Sequence, residues 1–285
     1  MYNIVNWLEV RFGDILDKTT MRLGLGSIES KVLSNFSAEG KSIFTIAELS
    51  EKIHSKTKAR KMASSLAKKK WLERLSKGTY LILELGAGSE PKWVEDAYYI
   101  ASKLANPYYI GYYSMLNHYG WTEQVPSTVT LITTKVLRSK NILGTKYDFI
   151  TLSKKKFFGF NETNIRGHKI MISGPEKTIV DALDHPEYCG GINEVAKAFY
   201  NAKIDWNKVI AYAIRMKNGA IFKRMGYLAE KTEAPIPNDI IKIMKRHITK
   251  GYSPLYPGIK SKTTTYNSTW NIAINTNISK EGAHE

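Results

Sequence analysis

The chain is nearly without cysteine. Cys189 is the only one in 285 residues, which excludes a disulfide scaffold and a cysteine-rich zinc site and points to a reducing, cytoplasmic compartment. Clustered histidines are missing too. The six, from His54 to His284, include no pair three or four residues apart, so no metal is expected. His185 and Cys189 stand four apart, but Pro186 breaks any helix between them. No phosphate loop, dinucleotide fingerprint or nucleophile elbow occurs; Gly24-Leu25-Gly26 and Gly86-Ala87-Gly88 read as short connectors. Cys189 has no base near it in sequence and reads as a small hydrophobe. These absences argue against an enzyme and against a cofactor. The start, MYNIVNWLEVRFGD, lacks a basic region, a sustained apolar stretch and a small-residue cleavage site, so no secretory signal is expected. Residues 104–122 are free of charge but carry Asn106, Pro107, Gly111, Asn117, His118 and Gly120. That makes a poor membrane span, because polar groups are costly in lipid.

Acidic residues are scarce as well. There are 26 against 42 basic ones, giving +16 and a pI near 9.6, a balance that favours a polyanionic partner. Hydrophobic residues make up 43% and aromatics 11%, enough to bury real cores and exclude global disorder. The length favours two domains. The charge is uneven: from Lys52 to Lys77 ten bases meet one acid, Glu73, which is more than half of the net charge.

Residues 2–17 have apolar positions near helical spacing and predict an N-terminal helical extension over 1–26. Ser27 is a candidate cap for a helix to about Ala38. Thr45, with Glu48 three residues on, has the spacing of a capping box for a second helix whose core face is Ile46, Leu49 and Ile53. Ser55 or Thr57 opens a third helix to about Lys70. Two apolar runs about Ser76-Lys77-Gly78 then predict a β-hairpin. The segment 86–91 is the clearest linker. Beyond it, helices are expected over 92–105, 109–120, 176–183 (with Pro175 at its first position), 192–200, 205–216, 220–229 and 239–248. Strands are expected over 128–135, 147–152, 168–172 and 270–275, with a loop over 252–257.

Three short helices and a hairpin within residues 27–85 are the order of a winged helix-turn-helix. The predicted fold class is α+β, with that unit followed by a larger mixed α/β domain over 91–285. On the third helix Ala59, Met62, Ala63 and Leu66 share one face and can pack on the other helices. The second helix of such a motif enters the major groove with its N-terminal residues nearest the bases. This makes Lys56, Thr57, Lys58, Arg60 and Lys61 the candidate DNA-binding residues. Ser64, Ser65 and Lys68 extend the same face, and Lys77 at the hairpin tip would reach a neighbouring phosphate or the minor groove.

Several segments resemble, in the same order, the AbiEi-type antitoxins, the transcription-regulator halves of type IV abortive-infection toxin–antitoxin pairs. They are Gly78-Thr79-Tyr80-Leu81-Ile82-Leu83, the Tyr108–Thr122 segment running into Thr122-Glu123-Gln124-Val125-Pro126, Gly174-Pro175-Glu176-Lys177-Thr178, Pro186-Glu187-Tyr188-Cys189-Gly190-Gly191, Arg224-Met225-Gly226-Tyr227-Leu228, and the strand from Trp270 to Asn275. The likeness spans about residues 28–275. The departures are the longer N-terminal helix and Met225 where Leu is usual. The resemblance implies an autorepressor that binds repeats in its own promoter. It also implies a C-terminal domain that counters a co-encoded nucleotidyltransferase-like toxin without a stable complex.

The residues themselves leave other readings open. Gly120, Gly190 and Gly191 suit positive φ, Asp181 can pair with Lys177 one turn away, and Arg224 reads as an ion-pair partner. Lys154-Lys155-Lys156 forms a second basic patch on an expected turn. Asp148 before that patch raises a metal-dependent nuclease, but the strand holds no second carboxylate at the needed spacing. A stand-alone DNA-binding regulator or protein-interaction module without antitoxin activity is the alternative to the antitoxin. A homodimer on inverted half-sites is the geometric expectation for a repressor, and the first helix could serve as its contact or pack internally.

Overall fold

A computed structural model of the chain describes residues 24–83, 94–261 and 263–278. The chain divides into two compact units, residues 1–92 and 93–285, and contains both helices and sheets, an α+β class. The helix expected over 2–17 lies outside the described residues, as does the linker at 86–91.

In the first unit α1 (Ser27–Ala38) is followed by β1 (Ile43–Thr45), α2 (Ile46–Ile53), α3 (Lys56–Lys68), β2 (Leu72–Ser76) and β3 (Thr79–Ile82). Ser27 is the first helical residue rather than the cap: the Glu29 carboxylate reaches back and accepts from the Gly26 N–H at 2.9 Å, which fixes the start one residue earlier. The Thr45–Glu48 capping box forms as its spacing predicts. Thr45 N–H donates to Glu48 Oε2 at 2.7 Å, and Glu48 N–H donates to Thr45 Oγ1 at 3.3 Å. The turn into α3 is tight, with His54 in the left-handed region and the Ser55 hydroxyl accepting from Lys58 N–H at 3.4 Å. Gly78, at φ +80°, closes the hairpin. β1 was not anticipated. Three residues are too short for an alternation, and β1 is a strand because Ile43 and Phe44 pair with Leu81 and Tyr80, giving a sheet ordered β1-β3-β2. Phe36 stacks on Phe44 with centroids 4.4 Å apart, and Leu33, Leu49, Leu66 and Leu72 close the core around them.

The second unit is built on a mixed six-stranded sheet. It contains α4 (Val94–Ser102), β4 (Tyr109–Ile110), α5 (Tyr113–His118), β5 (Thr128–Thr133), β6 (Lys140–Ile142), β7 (Thr145–Thr151), β8 (Phe160–Ile165) and β9 (His168–Ser173). The strand order is β6-β7-β5-β4-β9-β8, parallel at β5–β7 and β4–β9 and antiparallel elsewhere. A helical layer follows: α6 (Pro175–Asp184), a 3-10 turn at Pro186–Tyr188, α7 (Ile192–Asn201), α8 (Trp206–Met216), α9 (Gly219–Thr232) and α10 (Asn238–Arg246). Short strands β10 (Ser253–Pro254), β11 (Thr265–Asn267) and β12 (Ile272–Ile274) form a small sheet against α9. Every residue from Glu176 to Asp184 is buried. α6 is therefore surrounded, which a nine-residue run containing two Asp, a Glu and a Lys does not suggest.

Three expectations change here. The helix predicted to begin at Tyr109 begins at Tyr113, because Tyr109 and Ile110 pair with Ile132 and Leu131 and become the central strand. The loop over 252–257 contains β10, held by its pairing to β12. β6 and β8 are additional edge strands; β8, reading Phe-Asn-Glu-Thr-Asn-Ile, has too little apolar alternation to announce itself and is a strand through pairing with β9.

Candidate nucleic-acid interface

α3 is two-faced. Ala59, Ala63 and Leu66 are fully buried, at i, i+4 and i+7, and Met62 packs beside them. Two alanines let α3 lie close against its neighbours, and burying Leu66 contributes about 1.5–3 kcal/mol. Lys56, Thr57, Lys58, Arg60, Lys61, Ser64 and Lys68 are exposed. Lys77 is exposed at the hairpin tip.

The first turn of α3 has Lys56 and Lys58 and no acid. The free N–H groups and the dipole there favour an anion, so each cation costs the isolated helix about 0.3–1 kcal/mol. An external polyanion removes that cost by meeting both the lysines and the helix end. A groove of about 780 Å³ runs between α2, α3 and the hairpin and has Lys56, Arg60, Arg74 and Lys77 on its walls. A shallower hollow of about 490 Å³ lies on the other side of α3, against Arg60, Lys61, Ser64, Ser65, Lys68 and Lys69. Arg60 lines both and stands on the ridge between them. Arg74 was not among the sequence candidates. It lies on β2, and only the folding of the hairpin onto α3 brings it to the groove; its outward position in a strand was the available signal.

Ser65 is half-buried and also bonded inward. Its hydroxyl donates to Glu29 Oε1 at 3.2 Å, and Lys69 Nζ meets Glu29 Oε2 at 2.6 Å. These bonds, with Lys69 foremost, hold the Glu29 carboxyl below the usual carboxylate range. Ser65 and Lys69 thus tie the end of α3 to the start of α1 while also lining the hollow beside Arg60 and Lys61. Lys52 is likewise paired with Glu39.

In the second unit the motif residues turn inward. Lys177 and Asp181 form a fully buried ion pair, and the Tyr109 hydroxyl donates to Asp181 at 3.2 Å. Burial pushes the Asp181 carboxyl up, against the pull of Lys177 and Tyr109. Arg224 is corrected from an ion-pair partner to a carbonyl clamp. Its Nη1 donates to Leu183 and Asp184 carbonyls at 2.7 and 3.1 Å, capping α6, while Nε reaches the Leu255 carbonyl at 3.2 Å. Cys189 is buried, and burial raises its thiol well above the ordinary range. Of the lysine run, Lys156 meets the buried Asp184 at 3.2 Å while Lys154 and Lys155 are exposed. Asp148 is bonded to Lys146 at 2.8 Å and shares a cleft of about 490 Å³ with Glu187, a carboxylate supplied by the 3-10 turn rather than by the strand. Among the described residues no group of three His, Cys, Asp or Glu could hold a metal, and no helix is long and apolar enough to cross a membrane.

No family model matches the chain, and no curated protein matches it. Its fold is similar to that of the RV2827C protein from Mycobacterium tuberculosis, seen in a crystal structure, with a TM-score of 0.63 and 13% identity over 89% of this chain and 93% of that one. At that identity the likeness is one of fold.

Proposed function

We propose that the first unit is a winged helix-turn-helix that binds double-stranded DNA, and that the protein is a transcriptional autorepressor. The observation that carries this is α3. One face of it is packed against the core through Ala59, Ala63 and Leu66, while the other presents Lys56, Lys58, Arg60 and Lys61 beside a groove that Lys77 also borders. The helix–strand–helix–helix–hairpin order supports the assignment, with α2 and α3 as the helix pair, α3 as the reader and the β2–β3 hairpin as the wing. The inserted strand β1 completes the wing's sheet.

The resemblance to AbiEi-type antitoxins supports the wider reading. In it the protein is the antitoxin of a type IV pair, represses its own promoter at inverted repeats, and counters a nucleotidyltransferase-like toxin without stably binding it. The inward-facing Lys177, Asp181 and Arg224 make the shared motifs of the second unit determinants of its fold; neutralisation would use the surface these motifs shape. Footprinting of the full chain on its own upstream region, with Arg60→Ala/Lys61→Ala as the comparison, tests the repressor reading. Protection that disappears in the variant at an unchanged melting temperature is the expected result. Equal protection by both proteins removes α3 as the reader. Co-expression with the adjacent gene's product tests the antitoxin reading separately: growth rescue supports it, and unrelieved toxicity ends it.

A further inference from the structure

The C-terminal part of the chain holds a long stretch rich in cations and free of carboxylates. Between Asp239 and Glu281 there is no carboxylate. α10 ends in Lys245 and Arg246, with Lys250 and Lys260 beyond it, and all four are exposed. In the same stretch Tyr252 and Tyr266 stand out from the β10–β12–β11 sheet, 49% and 64% exposed, edge to face with ring centroids 4.9 Å apart. Strand pairing makes this pair: Ser253 and Asn267 both lie opposite Ile272, so the residue before β10 and the middle of β11 meet across β12.

Residues leading into β12 touch one of these cations and hold the loop that carries another. Lys245 Nζ lies 5.7 Å from the centroid of the Trp270 ring, and Asn271 Nδ2 donates to the Thr249 carbonyl at 3.3 Å, holding the loop that carries Lys250. Beneath that loop Lys223 is buried, donating to the Gly251 carbonyl at 2.7 Å and to Ser253 Oγ at 3.3 Å. A lysine charge is thus held under the loop by a carbonyl and a hydroxyl.

Helix-dipole compensation accounts for Lys245 and Arg246 in the last turn of α10. It accounts neither for Lys250 and Lys260 nor for two tyrosines left outside. Exposed aromatic faces in a cation-rich stretch of chain without carboxylates suit a single nucleic-acid strand, since phosphates meet the cations and unpaired bases stack on the rings. A duplex keeps its base faces to itself and would leave both tyrosines idle.

We propose that the Tyr252–Tyr266 pair, with the cations of the same stretch (Lys245, Arg246, Lys250 and Lys260), binds single-stranded nucleic acid without sequence preference. This site belongs to the second unit and does not rest on the repressor reading. It is tested by anisotropy titration of the full chain with a fluorescein-labelled oligo-dT or oligo-U of about 12 nucleotides, within the span one small binding surface covers. Tyr252→Ala/Tyr266→Ala is expected to weaken binding roughly tenfold or more, because each stacked base contributes about 1–3 kcal/mol. Tyr252→Phe/Tyr266→Phe keeps the rings and should bind as wild type. Lys250→Glu/Lys260→Glu should lose binding through charge, and Arg60→Ala/Lys61→Ala should retain it. Wild-type affinity in the alanine variant would overturn the proposal. So would a loss confined to the Arg60/Lys61 variant, or binding to phosphatidylserine vesicles with none to either oligonucleotide.

Discussion

Gly226 lies flat against the indole of Trp270: a Cβ built on the glycine would stand 2.0 Å from Cε3 of the ring. The two residues come from segments far apart in sequence, α9 and the approach to β12, and their contact docks the small C-terminal sheet on the helical layer. Trp270 is 1% exposed. The glycine is needed for space rather than for backbone freedom. Gly226→Ala should therefore destabilise by about 1–3 kcal/mol through overpacking, read as a lower urea midpoint. Gly24→Ala, with nothing within 4 Å of its Cβ position, should change it little.

Lys177 and Asp181 give the second expectation. Neither side chain reaches water. Asp181→Ala strands the lysine charge and should cost about 3–5 kcal/mol. Lys177→Met combined with Asp181→Leu removes both charges and should fall well short of the sum of the single losses. Additive losses in denaturant unfolding would show that the two residues do not act as a pair.

The α2 cap predicts an acid-sensitive term. Partial burial opposes the charge of Glu48, but bonds from Thr45 N–H, Lys41 and the Thr45 hydroxyl outweigh it and hold its carboxyl below the ordinary value. A depressed carboxyl stabilises the fold above its unfolded pKa of about 4.3 and loses that contribution as pH falls through the folded value. Glu48→Gln should lower the melting temperature near neutral pH and match wild type in strong acid. A difference that is constant with pH would remove the charge as its cause. Thr45→Ala should cost about 1 kcal/mol.

DNA binding should divide two adjacent serines. Ser64 is exposed on the cationic face of α3, whereas Ser65 is bonded to Glu29. Ser64→Ala or Ser64→Glu should weaken operator binding in a gel-shift titration, the charged variant more. Ser65→Ala should act on stability and leave affinity near wild type. Lys61→Ala should also flatten the salt dependence, reducing the slope of log K against log salt by about 1 if Lys61 meets one phosphate.

Where a signal was local, the sequence carried it. The Thr45–Glu48 box, Pro175 at a helix start, Gly78 at the hairpin and the two-faced spacing of α3 each depend on residues within one or two turns. The misreadings share one cause. β1 and β4 are two or three residues long, and they are strands because of partners tens of residues away. Tyr109 looked like the start of a helix because a central strand buried on both faces has no alternation to show. The bond from Ser65 to Glu29 went unseen because that acid is remote in sequence. Arg224 looked like half of an ion pair because carbonyl partners leave no trace in composition.

The chain itself determined its excess of positive charge, the concentration of that charge between Lys52 and Lys77, the caps that start its helices and the α+β class, since these follow from side-chain chemistry and periodicity at short range. Tertiary structure alone decided that Lys177 and Asp181 vanish from water, that Arg74 joins the groove beside α3, that Gly226 makes room for Trp270, and that Tyr252 and Tyr266 stand together outside. Such outcomes depend on which distant surfaces pack together, and no local run of residues encodes its eventual neighbours.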